Sequence, residues 1–277
     1  MFRRIAPLGI AVLAGLIATC VRASDLDIIN APEIDVSGSA VAQGWYIRGD
    51  LGYAGWIKGD EPSYRIDAFG ASYAKGDFDN ARFSKPAAYG VGMGYQFNNF
   101  LRTDLTADFS NGSLRSSTNI ASPCITGPAG TDCGLRSKAE YSAVHLLANG
   151  YVDLGTFAGV TPYVGAGAGV TYMKWDDFRT QATCRSGAGA CAGQTFDEVK
   201  LGGGDSWRFT YALMAGAAID LTERVKLDLG YRFSDMAGGK MFGGSIEVPG
   251  AGTVSARGRD DGFQKHEIRA GIRVTTW

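Results

Sequence analysis

Two histidines, five cysteines and a pair of adjacent aspartates are the residues of this 277-residue chain best suited to chemistry. Hydrolysis would need a histidine within reach of a serine and a carboxylate. His145 lies in an alternating stretch with Asn149 and Asp153 on its own face, while Ser142 and Glu140 fall on the other, so no triad forms locally. His266 shares a face with Ile268 and Ala270. Only a serine from another strand could complete a site at His145, and the reading is of a non-enzyme. Asp176 and Asp177 in "KWDDF" fall far short of the six to eight oxygens calcium takes. "GAGAG" and "LGGGD" lack the strand–turn–helix setting of a phosphate loop. The close cysteine pairs Cys124/Cys133 and Cys184/Cys191 could hold zinc or form two disulfides. Their spacing is wrong for a zinc finger and no histidine is nearby, so disulfides are expected, and no metal or cofactor.

Disulfides require an oxidising compartment. Arg3 and Arg4, the apolar run 8–18 and the small residues of Val21-Arg22-Ala23 have the layout of a cleaved export signal over residues 1–23. Cys20 as a lipidated residue is a poorer reading, because Thr19 precedes it. Removing 1–23 takes away three arginines and no acid from a formal charge of −1, which does not suggest a nucleic-acid partner. Residues 24–43 read as a polar lead-in left in the periplasm, and 44–277 as one β domain.

Period-two alternation marks eight segments in that domain: 44–54, 87–98, 100–110, 140–154, 160–174, 207–221, 225–235 and 263–277. Each is about 10–15 residues long, as a tilted membrane strand of ~9–11 residues requires and unlike the ~5–6 of globular strands. Long polar stretches (55–86, 111–139, 175–206 and 236–262) alternate with tight links around Asn99, "GTFAG" and "TER". An up-and-down barrel puts all long loops at one mouth and all short turns at the other. One face is greasy: Trp45, Ile47, Leu51 and Tyr53 in the first segment, Ile268, Ile272 and Val274 in the last. A soluble lipocalin-like barrel would turn that face inward, a membrane barrel outward to lipid. Strand length and loop asymmetry favour lipid.

The opposite face then lines the lumen. It carries Arg48, Arg102, Arg208, Lys226, Arg232, Arg269 and Arg273 against Asp50, Asp104, Asp108, Asp153, Asp220, Asp228 and Glu267. Equal numbers of each sign fit an interior ion-pair network, with Asp228 or Glu267 expected to compensate Arg232; a selective pore would show rings of one sign. The expectation is a plugged lumen, the alternative a narrow path for ions or small solutes.

"GWYIRGDLGYA", "PYVGAGAGV", "KLDLGYRF" and "HEIRAGIR" resemble the small eight-stranded outer-membrane barrels of alphaproteobacteria, the 25/31-kilodalton surface-antigen type of the opacity-like porin family. The resemblance covers 44–277 apart from the loops. It implies an antiparallel eight-stranded barrel in the cell outer membrane that meets lipid and lipopolysaccharide and is inserted by the barrel-assembly machinery. It also implies loops that serve envelope integrity, adhesion or binding of a host or environmental ligand. Trp277 would serve as the terminal assembly signal, although it is one step out of phase with Ile268, Ile272 and Val274.

Overall fold

In the computed structural model, which describes residues 43–59, 62–120, 132–186, 193–248 and 252–276, the backbone is extended almost throughout. The expected signal segment, all of the lead-in but Gln43, and Trp277 lie outside the described residues. Thirteen strands are described: β1 (Gly44–Gly59), β2 (Ser63–Ala68), β3 (Ala71–Asp77), β4 (Arg82–Phe83), β5 (Ala87–Gln96), β6 (Leu101–Ile120), β7 (Asp132–Asp153), β8 (Val160–Trp175), β9 (Phe178–Ser186), β10 (Val199–Leu201), β11 (Asp205–Asp220), β12 (Val225–Val248) and β13 (Gly252–Thr275). Eight of them form an antiparallel ring in the order β1, β5, β6, β7, β8, β11, β12, β13. It closes where β1 meets β13, with Tyr46 opposite Thr275, Asp50 opposite Gly271 and Tyr53 opposite Ile268. A closed ring leaves no strand edge unpaired in lipid.

At one mouth the links are short and capped by side chains. Asn98 Oδ1 accepts from the backbone N–H groups of Phe100 and Leu101, both at 2.8 Å. Thr222 Oγ1 does the same for Arg224 and Val225 at 3.3 and 3.0 Å. Such side-chain turns stand in for a backbone turn.

The other mouth differs from the expectation. The polar stretches read as loops are largely continuations of the strands. Pairing of β6 with β7 runs on to Ile120 opposite Cys133, and pairing of β12 with β13 to Val248 opposite Gly252. β2 and β3 form a hairpin laid on the outer part of β13, β4 pairs with the outer part of β6, β9 carries the pairing of β8 on along the outer part of β7, and β10 pairs with β9. Above a bilayer neither face of a strand meets lipid. The alternation that marks a membrane strand is therefore not required there, and Gly, Ser and Thr fill the pattern.

The interior changes character along the axis. In the half near the short turns the outward face is apolar, with Leu51 69% and Ile268 70% exposed, and the inward face carries Arg102 and Asp108, both at 0%. In the outer half the inward face is dominated by apolar side chains: Phe78, Leu114, Tyr141, Met173, Trp175, Phe178, Met241, Phe242 and Phe263 form one buried cluster, beside which Arg208 and Asp260 are also buried. The rings of Phe178 and Phe242 stack at 4.0 Å, and Phe83 meets Phe263 edge-on at 4.6 Å.

The outward assignment makes a prediction. Ile272→Arg should cost about 2 kcal/mol and Ile272→Ala much less, since only the charge offends lipid. At Gly271 even a methyl is excluded, because a Cβ would lie 2.3 Å from Asp50 Oδ1. Urea titration of the refolded barrel followed by heat-modifiable gel mobility measures both. Equal losses for Ile272→Arg and Ile272→Ala would mean that the face is wrongly assigned.

Candidate functional site

The lumen of the lipid-facing half collects most of the chemistry-bearing side chains. Alternation sends every second residue of each strand inward, and glycines on facing strands leave the room. A Cβ at Gly90 would stand 2.0 Å from Asp108 Oδ1, and one at Gly52 2.1 Å from Glu267 Oε1. Only bare backbone lets these two carboxylates reach the centre.

Asp108 accepts from Arg232 and Arg269, both at 2.6 Å. Glu267 takes Arg232 at 2.8 Å, with Lys265 at 3.5 Å. Arg48 reaches Asp50 at 2.7 Å and Asp104 at 3.0 Å. Asp104 also accepts from Tyr46 and Asn149. Nearer the short turns, Arg102 meets Asp153 at 3.0 Å and lies over the rings of Tyr151 and Tyr163, at 4.0 and 4.7 Å. Arg273 meets Asp228 at 3.3 Å. Arg208 forms a two-pronged pair with Asp260, both bonds 2.7 Å. Paired and hydrogen-bonded charges of this kind are what a buried site tolerates.

Three placements depart from the sequence reading. Arg232 is held by Glu267, one of the two partners expected above, and by Asp108; Asp228, the other expected partner, belongs to Arg273. Lys226 and Asp220 pair with each other at the short-turn mouth, both partly exposed, because they begin and end their strands at the rim. Lys265 and Asp260 take their places inside. Lys265 has the same parity as Glu267, which was a usable signal. Asp260 falls in a stretch read as loop, so no strand parity was available for it.

His145 is buried and bridges two strands, with Nδ1 2.7 Å from Thr171 Oγ1 and Nε2 3.4 Å from Ser110 Oγ. A serine from another strand does converge on it, but a threonine occupies the position of an orienting carboxylate. Further down the lumen, a hollow of about 20 Å³ between Arg48, Asn149, Tyr151 and Arg232 is the size of a single water. His266 faces outward and bonds Tyr231.

Cys133 and Cys184 are both disulfide-bonded, which removes them as zinc thiolates. They stand opposite each other across β7 and β9. Cys124 and Cys191 lie outside the described residues. Of the "KWDDF" stretch, Trp175 and Phe178 point into the outer apolar cluster.

Comparison with known proteins agrees with this architecture. The model of the outer membrane protein beta-barrel domain family matches residues 11–272. An uncharacterised protein of Brucella abortus (strain 2308) is 35% identical over 285 residues, covering 94% of this chain and 95% of that protein. A protein of Rickettsia bellii (strain OSU 85-389), named as a candidate adhesin, is 25% identical over 231 residues, covering 83% of this chain and 86% of its own length. Among solved structures, OprG of Pseudomonas aeruginosa matches at 17% identity and a TM-score of 0.42, covering 85% of this chain and 98% of that one. Neisserial surface protein A matches at 19% and 0.38, covering 84% and 97%.

Proposed function

Because this chain belongs to the outer membrane protein beta-barrel domain family and resides in the cell outer membrane, we propose that it is a sealed, non-enzymatic scaffold that presents its outer hairpins at the cell surface. The observation that carries this reading is the lumen filled twice over. Six cations and six acids are paired in the lipid-facing half (Arg48, Arg102, Arg232, Lys265, Arg269 and Arg273 with Asp50, Asp104, Asp108, Asp153, Asp228 and Glu267). Further out lies an aromatic cluster, with a seventh pair, Arg208 and Asp260, beside its Phe263. Eight strands enclose an interior that side chains fill, and function on such barrels is carried by the loops.

The outer hairpins serve envelope integrity and adhesion, in keeping with the candidate adhesin among the relatives. The belt around Trp45, Leu51 and Ile268 meets outer-membrane lipid and lipopolysaccharide, and insertion proceeds through the barrel-assembly machinery with Trp277 as its signal. The Cys124–Cys133 and Cys184–Cys191 disulfides belong to this reading as local staples of the outer segments. Planar-bilayer conductance of the refolded barrel, set beside surface adhesion of cells carrying a β9–β10 deletion, tests it. The expected result is no steady conductance and lost adhesion. Steady conductance with undiminished adhesion would replace the scaffold with a narrow channel.

A further inference from the structure

The outer sheet places five cations in one row. Across β4, β6, β7, β9 and β10 the register sets Arg82 opposite Arg115, Arg115 opposite Lys138, Lys138 opposite Arg179, and Arg179 opposite Lys200. Residues directly opposite share a face, about 4.5–5.5 Å apart at Cβ, where like charges repel. Arg82, Arg115, Lys138 and Lys200 are exposed and Arg179 is half-buried. Among the described residues the row has one ion pair, Arg179 with Glu198 at 3.9 Å. Arg136 lies one step further out on the same face, between Ser117 and Gln181. Four members of the row and Arg136 line a hollow of about 920 Å³ in which Glu198 is the one acid.

A second like-charge row on the same protein shows how such repulsion is otherwise offset. Lys75, Arg65 and Arg257 are also mutually opposite on β3, β2 and β13. There Asp67 accepts from both Arg65 and Arg257 at 2.9 Å. No carboxylate bridges two members of the longer row among the described residues. In a chain of net charge −1, such a row is not an outcome of composition. On the inner side of the row Glu140, Asp176 and Asp177 share a hollow with Arg115, Lys138 and Arg179 without an ion pair to them. The outer side, with Arg136, is therefore where anions from outside are called for.

Geometry selects the kind of anion. The row is about 19 Å long at an interstrand spacing of ~4.8 Å, with its cations evenly spaced. Arg115 follows the lipid-facing Phe109 by six residues, roughly 20 Å along the strand. Because barrel strands tilt by ~35–45°, a row at right angles to them climbs by roughly 12 Å from end to end. Lipid phosphates lie in one plane and would meet only part of it. A linear polymer with regularly spaced anions can follow all of it.

We propose that the Arg82–Arg115–Lys138–Arg179–Lys200 row is a docking surface for a linear sulfated polysaccharide lying across the strands. This rests on the surface-scaffold reading and names its ligand class. Binding is expected to weaken steeply with salt, because each contact releases counterions from the polymer. The Arg136 guanidinium and the Ser117 and Gln181 side chains supply further donors along the outer side of the row.

The test uses the full chain refolded in lipopolysaccharide-free bilayer discs, with heparan sulfate as probe and neutral dextran of equal length as control. Heparan sulfate should bind and dextran should not. The double variant Arg115→Ser/Lys138→Ser should weaken binding at least tenfold and flatten the dependence of log affinity on log salt by roughly 1–2. Its melting temperature should hold or rise, since repulsion is relieved. Glu198→Gln should tighten binding by freeing Arg179. Equal affinity of the double variant and the unaltered chain overturns the proposal. So does row-dependent capture of lipopolysaccharide vesicles without capture of heparan sulfate, which would assign the row to the membrane's own surface. Conductance on the same discs separates the two readings. A conducting barrel that binds through the row sinks the sealed scaffold alone, and a sealed barrel that ignores heparan sulfate sinks the docking surface alone.

Discussion

Arg232→Ala should lower the stability of the barrel by about 3 kcal/mol without opening it to ions. The side chain bridges Asp108 and Glu267 at 2.6 and 2.8 Å, and all three are almost fully buried. Removing one partner of a buried pair typically costs about 3–5 kcal/mol, because the other charge is left uncompensated. The low end applies here, since Arg269 still holds Asp108 and Lys265 still faces Glu267. The same redundancy makes the effect non-additive. Asp108→Asn introduced with Arg232→Ala should recover part of the loss, a coupling that a double-mutant cycle isolates. Melting and reversal potential measured on one preparation decide the matter. A water-filled lumen would screen the stranded carboxylates, so an unchanged melting point with increased cation preference would exclude the sealed scaffold.

Phe178→Ala should be of similar size but local. Phe178 opens β9, stacks on Phe242 at 4.0 Å with an interplanar angle of 17°, and meets Phe78 at 5.4 Å. Truncating a buried phenylalanine costs about 3–5 kcal/mol. The loss falls on the contact that anchors β9 and β10 in the outer wall, not on the ring of eight strands. Amide hydrogen exchange should therefore accelerate in β9 and β10 while β5, β8 and β11 keep their protection. Uniform acceleration throughout the barrel would show instead that the aromatic cluster and the ion-paired lumen unfold as one unit.

The lipid-facing half was legible in the sequence because the membrane enforces its pattern. Trp45, Ile47 and Leu51 must alternate with Tyr46, Arg48 and Asp50, since a one-residue slip would turn charge to lipid. The outer half obeys no such rule. Leu114 and Tyr141 point inward there, the reverse of the greasy-outward pattern read lower in the same strands. The contrast with Arg115 and Glu140 was present, but it puts the apolar residue inside, and the rule that greasy means outward holds only at the depth of lipid. Of the individual ion pairs, Arg232 with Glu267 was one of two alternatives offered, and the long-range ones were out of reach. Parity places Arg232 inside, but only the register between strands decides that Asp108, 124 positions away, is its partner.

The reversal of interior polarity along the axis gives the two halves opposite heat capacities of unfolding. Opening the outer cluster hydrates aromatic surface, which raises the heat capacity; opening the lumen hydrates carboxylates and guanidiniums, which lowers it. The outer half therefore follows a strongly curved stability profile and, below its temperature of maximum stability, loosens on further cooling, as a small water-soluble domain does. The lumen has a flatter profile and holds over a wider range of temperature. A bacterium well into the cold would keep the lipid-facing ring of this barrel intact while its outer segments become the more mobile part.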